Sequence, residues 1–453
     1  MENLIAKYNI PGPRYTSYPT VPFWNKEGIQ KSVWIDSVKQ SFKESNTEEG
    51  ISLYIHLPFC ESLCTFCGCN KRITKNHGVE SPYITAVLKE WDLYLELFDE
   101  KPIISELHFG GGTPTFFRPE SLDTLLTGIL GKGIVPEKHS YSFEGHPNNT
   151  KREHLGVMAK HGFKRASYGV QDFDEKIQRS INRIQPYKNV AEVTEISREL
   201  GYNSTSFDLV YGLPFQTIKS IEDTIEQVKK LMPERIAFYS YAHVPWIKGN
   251  GQRGFDENDL PTPEVKREMY ETGYRLLLEA GYKEVGMDHF ALETDEMYQS
   301  YHAKTLHRNF MGYTASKTQL MVGLGVSSIS DSWYAFAQNV KTVEEYYEEL
   351  EKNEIPIFKG HLLTEEDLII RKHILNIMCH FETDWKDKAL QHQLVFEAEG
   401  RLEEMIQDDL LIIEDNSLTV TEKGKPFVRN ICMAFDAKLL GVKPGTQLFS
   451  MTI

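Results

Sequence analysis

Four cysteines, Cys60, Cys64, Cys67 and Cys69, fall within ten residues of a 453-residue chain that holds only six. The first three have the spacing C-x3-C-x2-C and follow an apolar run over residues 51–59 that reads as a buried strand. Thiolates are soft ligands that favour iron–sulfur clusters, Cu(I) or zinc. Three on one loop can hold three corners of a [4Fe–4S] cube, leaving the fourth iron open to a small molecule. A chemical site needs such an open position, whereas a structural site is closed. Cys60, Cys64 and Cys67 are therefore the candidate metal ligands. The competing reading is a zinc site completed by Cys69 or His56. Against it, no second C-x2-C pair follows, and Cys67-Gly-Cys69 is cramped for two ligands of one small ion. A disulfide framework fits less well still, because the chain is long and its cysteines crowd into one loop. Cys379 and Cys432 stand alone in apolar contexts and read as buried thiols.

The elements that must position this loop alternate. Strand-like runs cover residues 51–59, 103–109, 140–144, 165–171, 204–210 and 236–241, with helix-like stretches at 82–98, 119–130, 151–160, 188–200 and 218–231. Successive βα units predict a parallel sheet. Six are too few for an eight-fold barrel, so the expected fold is α/β, a partial, open (β/α)6 barrel. Ligands gather at the carboxyl ends of strands in such folds. Cys60 follows the first strand, Gly110-Gly-Gly-Thr-Pro114 follows the second, Glu144 ends the third and Gln171 the fourth. Asp208 lies in the fifth, ahead of Tyr211-Gly-Leu-Pro214. Each alone has a plainer reading, a turn glycine or a capping carboxylate; five on one rim suggest a site.

Residues 1–50, broken by Pro11, Pro13, Pro19 and Pro22, are expected to form an irregular tail covering the cleft. Residues 51–355 would be the barrel, with a helix ending at Ala280, a further strand at 284–290 and a cap over 306–330. Residues 356–453 read as a mainly helical domain with a short hairpin over 410–421, similar to a winged helix. The net charge of −15 argues against a nucleic-acid or membrane-surface binder, since both need a basic face. It leaves room for an anionic small substrate held by a local basic patch. No apolar run is long enough for a membrane span, and residues 1–7 lack a signal-peptide core. A cytoplasmic monomer without nucleic-acid partner or membrane insertion is expected.

Taken with the flanking motifs, the sequence resembles the radical S-adenosylmethionine (SAM) superfamily. Over almost its whole length it is similar to the oxygen-independent coproporphyrinogen III oxidase family of haem biosynthesis. The motifs carrying the resemblance include Gly12-Pro-Arg-Tyr-Thr-Ser-Tyr-Pro19, Tyr54-Ile-His-Leu-Pro-Phe-Cys60, Cys67-Gly-Cys-Asn-Lys71 and Gly110-Gly-Gly-Thr-Pro-Thr115. Further on come Gly169-Val-Gln-Asp-Phe173, Asp208-Leu-Val-Tyr-Gly-Leu-Pro214, Gly286-Met-Asp-His-Phe-Ala291 and His307-Arg-Asn-Phe310. The resemblance implies one [4Fe–4S] cluster on Cys60, Cys64 and Cys67. It implies one SAM against Tyr54, Phe66, Gly111, Glu144 and Ile329, and a second SAM against Gly112, Thr113, Gln171, Arg183 and Asp208.

Cys69, beside the ligand spacing but outside it, is a candidate catalytic residue. Arg14, Tyr15, His289, His307 and Arg308 lie in aromatic-rich segments and are candidates for holding substrate carboxylates. The implied reaction converts two propionates of coproporphyrinogen III to vinyl groups, giving protoporphyrinogen IX. It would need an electron donor and an electron acceptor, both unidentified. The alternatives within the superfamily are a haem chaperone and a haem-degrading radical methyltransferase. Cys69 and Arg14-Tyr-Thr-Ser-Tyr18 speak against the chaperone group, in which both features are usually lacking. The chain departs from the family pattern at Met311, where Gln is usual, and at Gly145-His146-Pro147, where Val-Asp-Pro is usual.

Overall fold

The computed structural model describes residues 2–25, 28–243, 252, 255–440 and 448–452. The six anticipated strands are β1 (Ile51–Leu57), β2 (Ile104–Gly111), β3 (Ser140–Gly145), β4 (Arg165–Gln171), β5 (Ser204–Tyr211) and β6 (Arg235–Ser240). They lie side by side in that order, all parallel. Parallel neighbours cannot be joined by a tight turn, so each strand is followed by a crossover. The helices are α1 (Glu80–Leu95), α2 (Pro119–Leu130), α3 (Arg152–Lys160), α4 (Tyr187–Glu199), α5 (Ile218–Leu231) and α6 (Pro263–Glu279). Each lays an apolar stripe on the sheet; on α2 the buried residues are Leu122, Leu125, Leu126 and Ile129, at i, i+3, i+4 and i+7. They join Leu53, Phe109, Phe143, Phe207 and Ile236 in one core, where burying each such side chain contributes about 1.5–3 kcal/mol. Among the described residues the full sheet has twelve strands and two free ends, so it is open. The α/β partial barrel anticipated from the pattern is what the chain forms.

Three expectations need correction. The stretch 306–330 is not wholly a cap. Residues His307–Asn309 and Gly312–Thr314 form a separate hairpin, but Leu320–Leu324 is β7, parallel to β1 and buried along its whole length. Its apolar run suits a strand covered on both faces, and Gly323 within it and Gly325 just after it masked it. The first fifty residues are not irregular throughout, because Lys31–Ser45 is a helix free of Pro and Gly. Trp34, Val38 and Phe42, four residues apart, seat it in the barrel core. The single strand expected at 284–290 is instead two short antiparallel strands, Lys283–Val285 and His289–Ala291, which reverse between them and extend the β6 edge.

Beyond the barrel, helices Glu365–His380, Gln393–Gln407 and Val428–Phe435 pack around a three-stranded sheet. Tyr8, Tyr15 and Tyr18 of the tail are buried in that core with Ile374, Trp385, Leu402 and Ile431. The tail is thus anchored on the carboxyl-terminal part of the chain. Among the described residues no helix is long and apolar enough to cross a membrane.

Glu90 on α1 fastens the site's scaffold from behind. Fully buried, it accepts hydrogen bonds from the Gly325 amide (2.8 Å), Asn339 Nδ2 (2.6 Å) and the Tyr346 hydroxyl (2.5 Å). Burial raises its pKa from 4.5 to about 7, even though these donors favour the carboxylate. The folded protein therefore takes up a proton that the unfolded chain has released. Stability from this group falls as pH rises from about 4.5 to 7 and is level above that. Glu90→Gln, always neutral, should gain on wild type by roughly 3 kcal/mol across that window. The gap between their denaturation midpoints at several pH values measures this; a gap independent of pH would refute it.

Candidate active site

The cysteine loop leaves β1 at Leu57 and is pinned from two sides. On one side Gly112 and Thr113 donate their amides to Leu57 O (2.9 Å) and Phe59 O (3.0 Å), laying the glycine-rich turn after β2 along it. A Cβ on Gly112 would stand 2.6 Å from the Pro58 carbonyl, so only glycine allows this approach. On the other side the short helix Glu175–Ser180 and its exit hold it. Thr65 donates its amide to Ile181 O (3.0 Å), and Asn182 Nδ2 donates to Leu63 O (2.7 Å). Lys71 closes the loop, donating to Cys67 O (3.0 Å) and Cys69 O (3.2 Å).

So held, Cys60, Cys64, Cys67 and Cys69 all line one cavity of about 980 Å³. Cys60 Sγ is 3.3 Å from Thr113 Oγ1, and Arg183 Nη1 is 3.5 Å from Cys64 Sγ. The neighbouring Cys69 thiol, helped by the Lys71 cation, pulls the Cys67 thiol down, and Cys67 together with burial pushes Cys69 up. Among the described residues no three His, Cys, Asp or Glu groups converge tightly enough for one small ion. The thiols instead ring open space, a donor set that suits a cube-sized iron–sulfur cluster better than a closed mononuclear site.

Phe66, Gly111, Gly112, Thr113, Glu144, Gln171, Arg183 and Asp208 line the same cavity. Glu144 is half-exposed into it and accepts the Gly111 amide at 3.3 Å. Gln171 sits at a register shift between β4 and β5 with φ +67°, a left-handed conformation that re-aims the chain at the strand end. Asp208 is partly buried, with Ser167 Oγ at 3.4 Å; desolvation, then the Glu144 charge, raises its pKa to about 7. Arg183 is braced by Gly169 O (2.7 Å from Nη2) and Gln185 Oε1 (3.2 Å from Nε). Burial, with Arg183 nearby, lowers neighbouring His146 to about 3, so it is neutral.

The remaining candidates lie elsewhere. Tyr54 is not on the cavity wall; its hydroxyl meets His56 Nδ1 at 3.0 Å and its ring stacks on His108. Ile329 pairs with Gln338 and packs near Trp24, Phe310 and Phe336. His289 lines a smaller cavity of about 240 Å³ inside the barrel, shared with Glu144, Asp208 and Tyr239. Arg14 pairs with Asp288, whose other oxygen is 2.6 Å from His289 Nδ1. Burial pushes the Asp288 carboxyl up, but Arg14 and His289 more than offset this and hold it well below its ordinary range. Tyr15 is buried and donates to Asp436 (3.0 Å). Buried Arg308 lies over the Tyr313 ring and donates to the carbonyls of Arg14 and Tyr15, both at 3.3 Å. It fastens the tail. Burial drives His307 to about 3, so it offers no charge. Asp288 and Lys71 were not among the expected site residues, although both stand inside quoted motifs; a charge next to a selected histidine, or two residues from a selected cysteine, was the available signal.

The radical SAM superfamily model matches residues 54–228. The oxygen-independent coproporphyrinogen III oxidase of Pseudomonas aeruginosa is 36% identical over 458 residues, covering 100% of this chain and 98% of that protein. The enzyme of the same name from Escherichia coli K12 is 36% identical over 455 residues, covering 99% and 98%. Among solved structures, a coproporphyrinogen III oxidase from Escherichia coli, described as a radical SAM enzyme, superposes with a TM-score of 0.90 at 33% identity. It covers 97% of this chain and 99% of its own. The similarity spans tail, barrel and carboxyl-terminal part alike, and the chain belongs to the oxygen-independent coproporphyrinogen III oxidase family of the radical SAM superfamily.

Proposed function

We propose that this protein decarboxylates two propionate side chains of coproporphyrinogen III to vinyl groups without oxygen, giving protoporphyrinogen IX for haem synthesis. The observation that carries this reading is full-length similarity to enzymes of that name, together with thiols opening on a roomy cavity at the carboxyl ends of the strands. Each propionate gives up a β-hydrogen atom, carbon dioxide and one electron. The electron leaves to an acceptor, and a separate donor supplies reducing equivalents. Cys60, Cys64 and Cys67 would hold the [4Fe–4S] cluster. When bound, cluster and SAM supply the hydrogen-abstracting radical chemistry.

The chain's own residues orient and shield. Glu144, fixed by the Gly111 amide, presents a carboxylate suited to an amine. The Gly112–Thr113 backbone gives close approach. Phe66 packs against the apolar cluster of Ile177, Ile181, Val210, Leu213 and Tyr241 and helps to keep water from one wall. Gly112, Thr113, Gln171, Arg183 and Asp208 would hold a second SAM in the same cavity. Arg14 and His289 remain the candidates facing substrate, Tyr15 and Arg308 acting on it through the tail. The test is anaerobic reconstitution with iron and sulfide, then SAM, a reductant and coproporphyrinogen III. The product mass should show loss of two carboxyl groups; unchanged substrate with SAM consumed would refute the assignment.

A further inference from the structure

A smaller cavity, about 130 Å³, lies at the carboxyl ends of β5 and β6, where α6 meets the tail and the carboxyl-terminal helices. Its lining includes four cations, Arg14, Lys266, Arg267 and Arg429, against one carboxylate, Asp288. Three of the cations are committed. Arg14 pairs with Asp288, and Arg267 pairs with Glu271 at 2.8 Å. Arg429 donates to the carbonyls of Gly12, Pro13 (2.9 Å) and Met451 (2.8 Å).

Lys266 differs. Its ammonium donates to the Tyr241 carbonyl (2.8 Å), and among the described residues no carboxylate pairs with it. An ammonium has three donors, so two are left for a ligand. Its stem is laid across Gly212, where φ is +85° and a Cβ would stand 2.7 Å from Lys266 Cε. Glycine at that turn is what lets the amine reach the cavity. Burial alone lowers the Lys266 pKa to about 8, the expected penalty for a desolvated cation without a counter-ion. The hydroxyl-bearing residues Tyr211, Ser240 and Tyr270 also line the cavity. Tyr241 belongs to the apolar cluster against which Phe66 of the cysteine loop packs, and that cluster lies between this wall and the larger cavity.

The geometry points to Lys266 as the anchor of a carboxylate subsite that takes one propionate arm of the tetrapyrrole. This rests on the substrate reading above. The volume admits an arm and not a macrocycle, so the ring would lie outside it, toward Tyr239, over whose ring Arg14 reaches from the cavity wall. A partly buried ammonium with no carboxylate beside it favours an acid over its ester.

The test is equilibrium dialysis of reconstituted protein against coproporphyrin III and against its tetramethyl ester. Lys266→Met should weaken binding of the free acid by at least about ten-fold, the loss expected for one charge-assisted hydrogen bond. Lys266→Arg, which keeps the cation, should retain most of it, and the ester should bind wild type and Lys266→Met alike. Iron content and SAM binding should not change. Free-acid binding by Lys266→Met equal to wild type overturns the subsite alone, as does loss confined to SAM. Wild type that neither binds the free acid nor turns over coproporphyrinogen III overturns the substrate reading, and the subsite with it.

Discussion

Alanine in place of any one of Cys60, Cys64 or Cys67 is expected to abolish iron retention and, with it, all turnover. Wild type reconstituted without oxygen should hold about four irons per chain. The effect should be near total because each thiol occupies a different position around one cavity and none can substitute for another. Cys69 is the informative contrast. It lines the same cavity two residues from Cys67 and is the thiol that a zinc site would recruit as its fourth ligand. With a cluster that uses three thiolates, Cys69→Ala should keep its iron and lose or sharply reduce turnover. Equal metal loss in all four variants, or stoichiometric zinc in anaerobically isolated protein, would count decisively for the closed zinc site. Full turnover by Cys69→Ala would reduce Cys69 to a packing residue.

The contrast between Cys69 and Tyr15 shows what could be read from sequence and what could not. Strands in a parallel sheet carry their message locally: a continuous apolar run, then a chemically loaded residue at its end. For that reason Cys60, Gly111, Glu144, Gln171 and Asp208 could be placed on one rim before any coordinates, and the cavity does bring them together. Residues whose role depends on another segment gave no such local sign. Arg308 and Tyr15 look like free polar groups in aromatic surroundings, yet one holds the tail's carbonyls and the other a buried Asp436. Lys266 is an ordinary helix lysine until Gly212, fifty-four residues earlier in the chain, is laid beneath it. The strand Leu320–Leu324 was hidden for a similar reason. Its parallel partner is β1, far off in sequence, and its other neighbour, Ile329–Asp331, is antiparallel, so no βα unit announced it.

Asp208→Ala is expected to lower SAM stoichiometry from two per chain to one, with iron content unchanged. The second site would draw on three parts of the rim: Gln171 at the end of β4, Asp208 on β5, and Arg183 beyond the helix Glu175–Ser180. Asp208 is the cleanest probe of the three. Arg183 has Nε and Nη2 committed to Gly169 and Gln185, and its Nη1 faces Cys64, so removing it would disturb the cysteine loop as well. Gln171 shapes the strand end through its left-handed backbone. Asp208 has only long contacts to Ser167. Partly desolvated and near the Glu144 charge, its carboxyl is raised to about 7, so a cationic ligand has charge repulsion to relieve and a hydrogen bond to gain. Losing one such bond to a charged group costs roughly 1.5–3 kcal/mol, or about ten- to one-hundred-fold in affinity. Anaerobic equilibrium binding resolves the two occupancies directly. One SAM on wild type would remove the second site from this chain and turn attention to its departures from the family pattern, Met311 and His146. Two SAM on both proteins would keep the site but take Asp208 out of it.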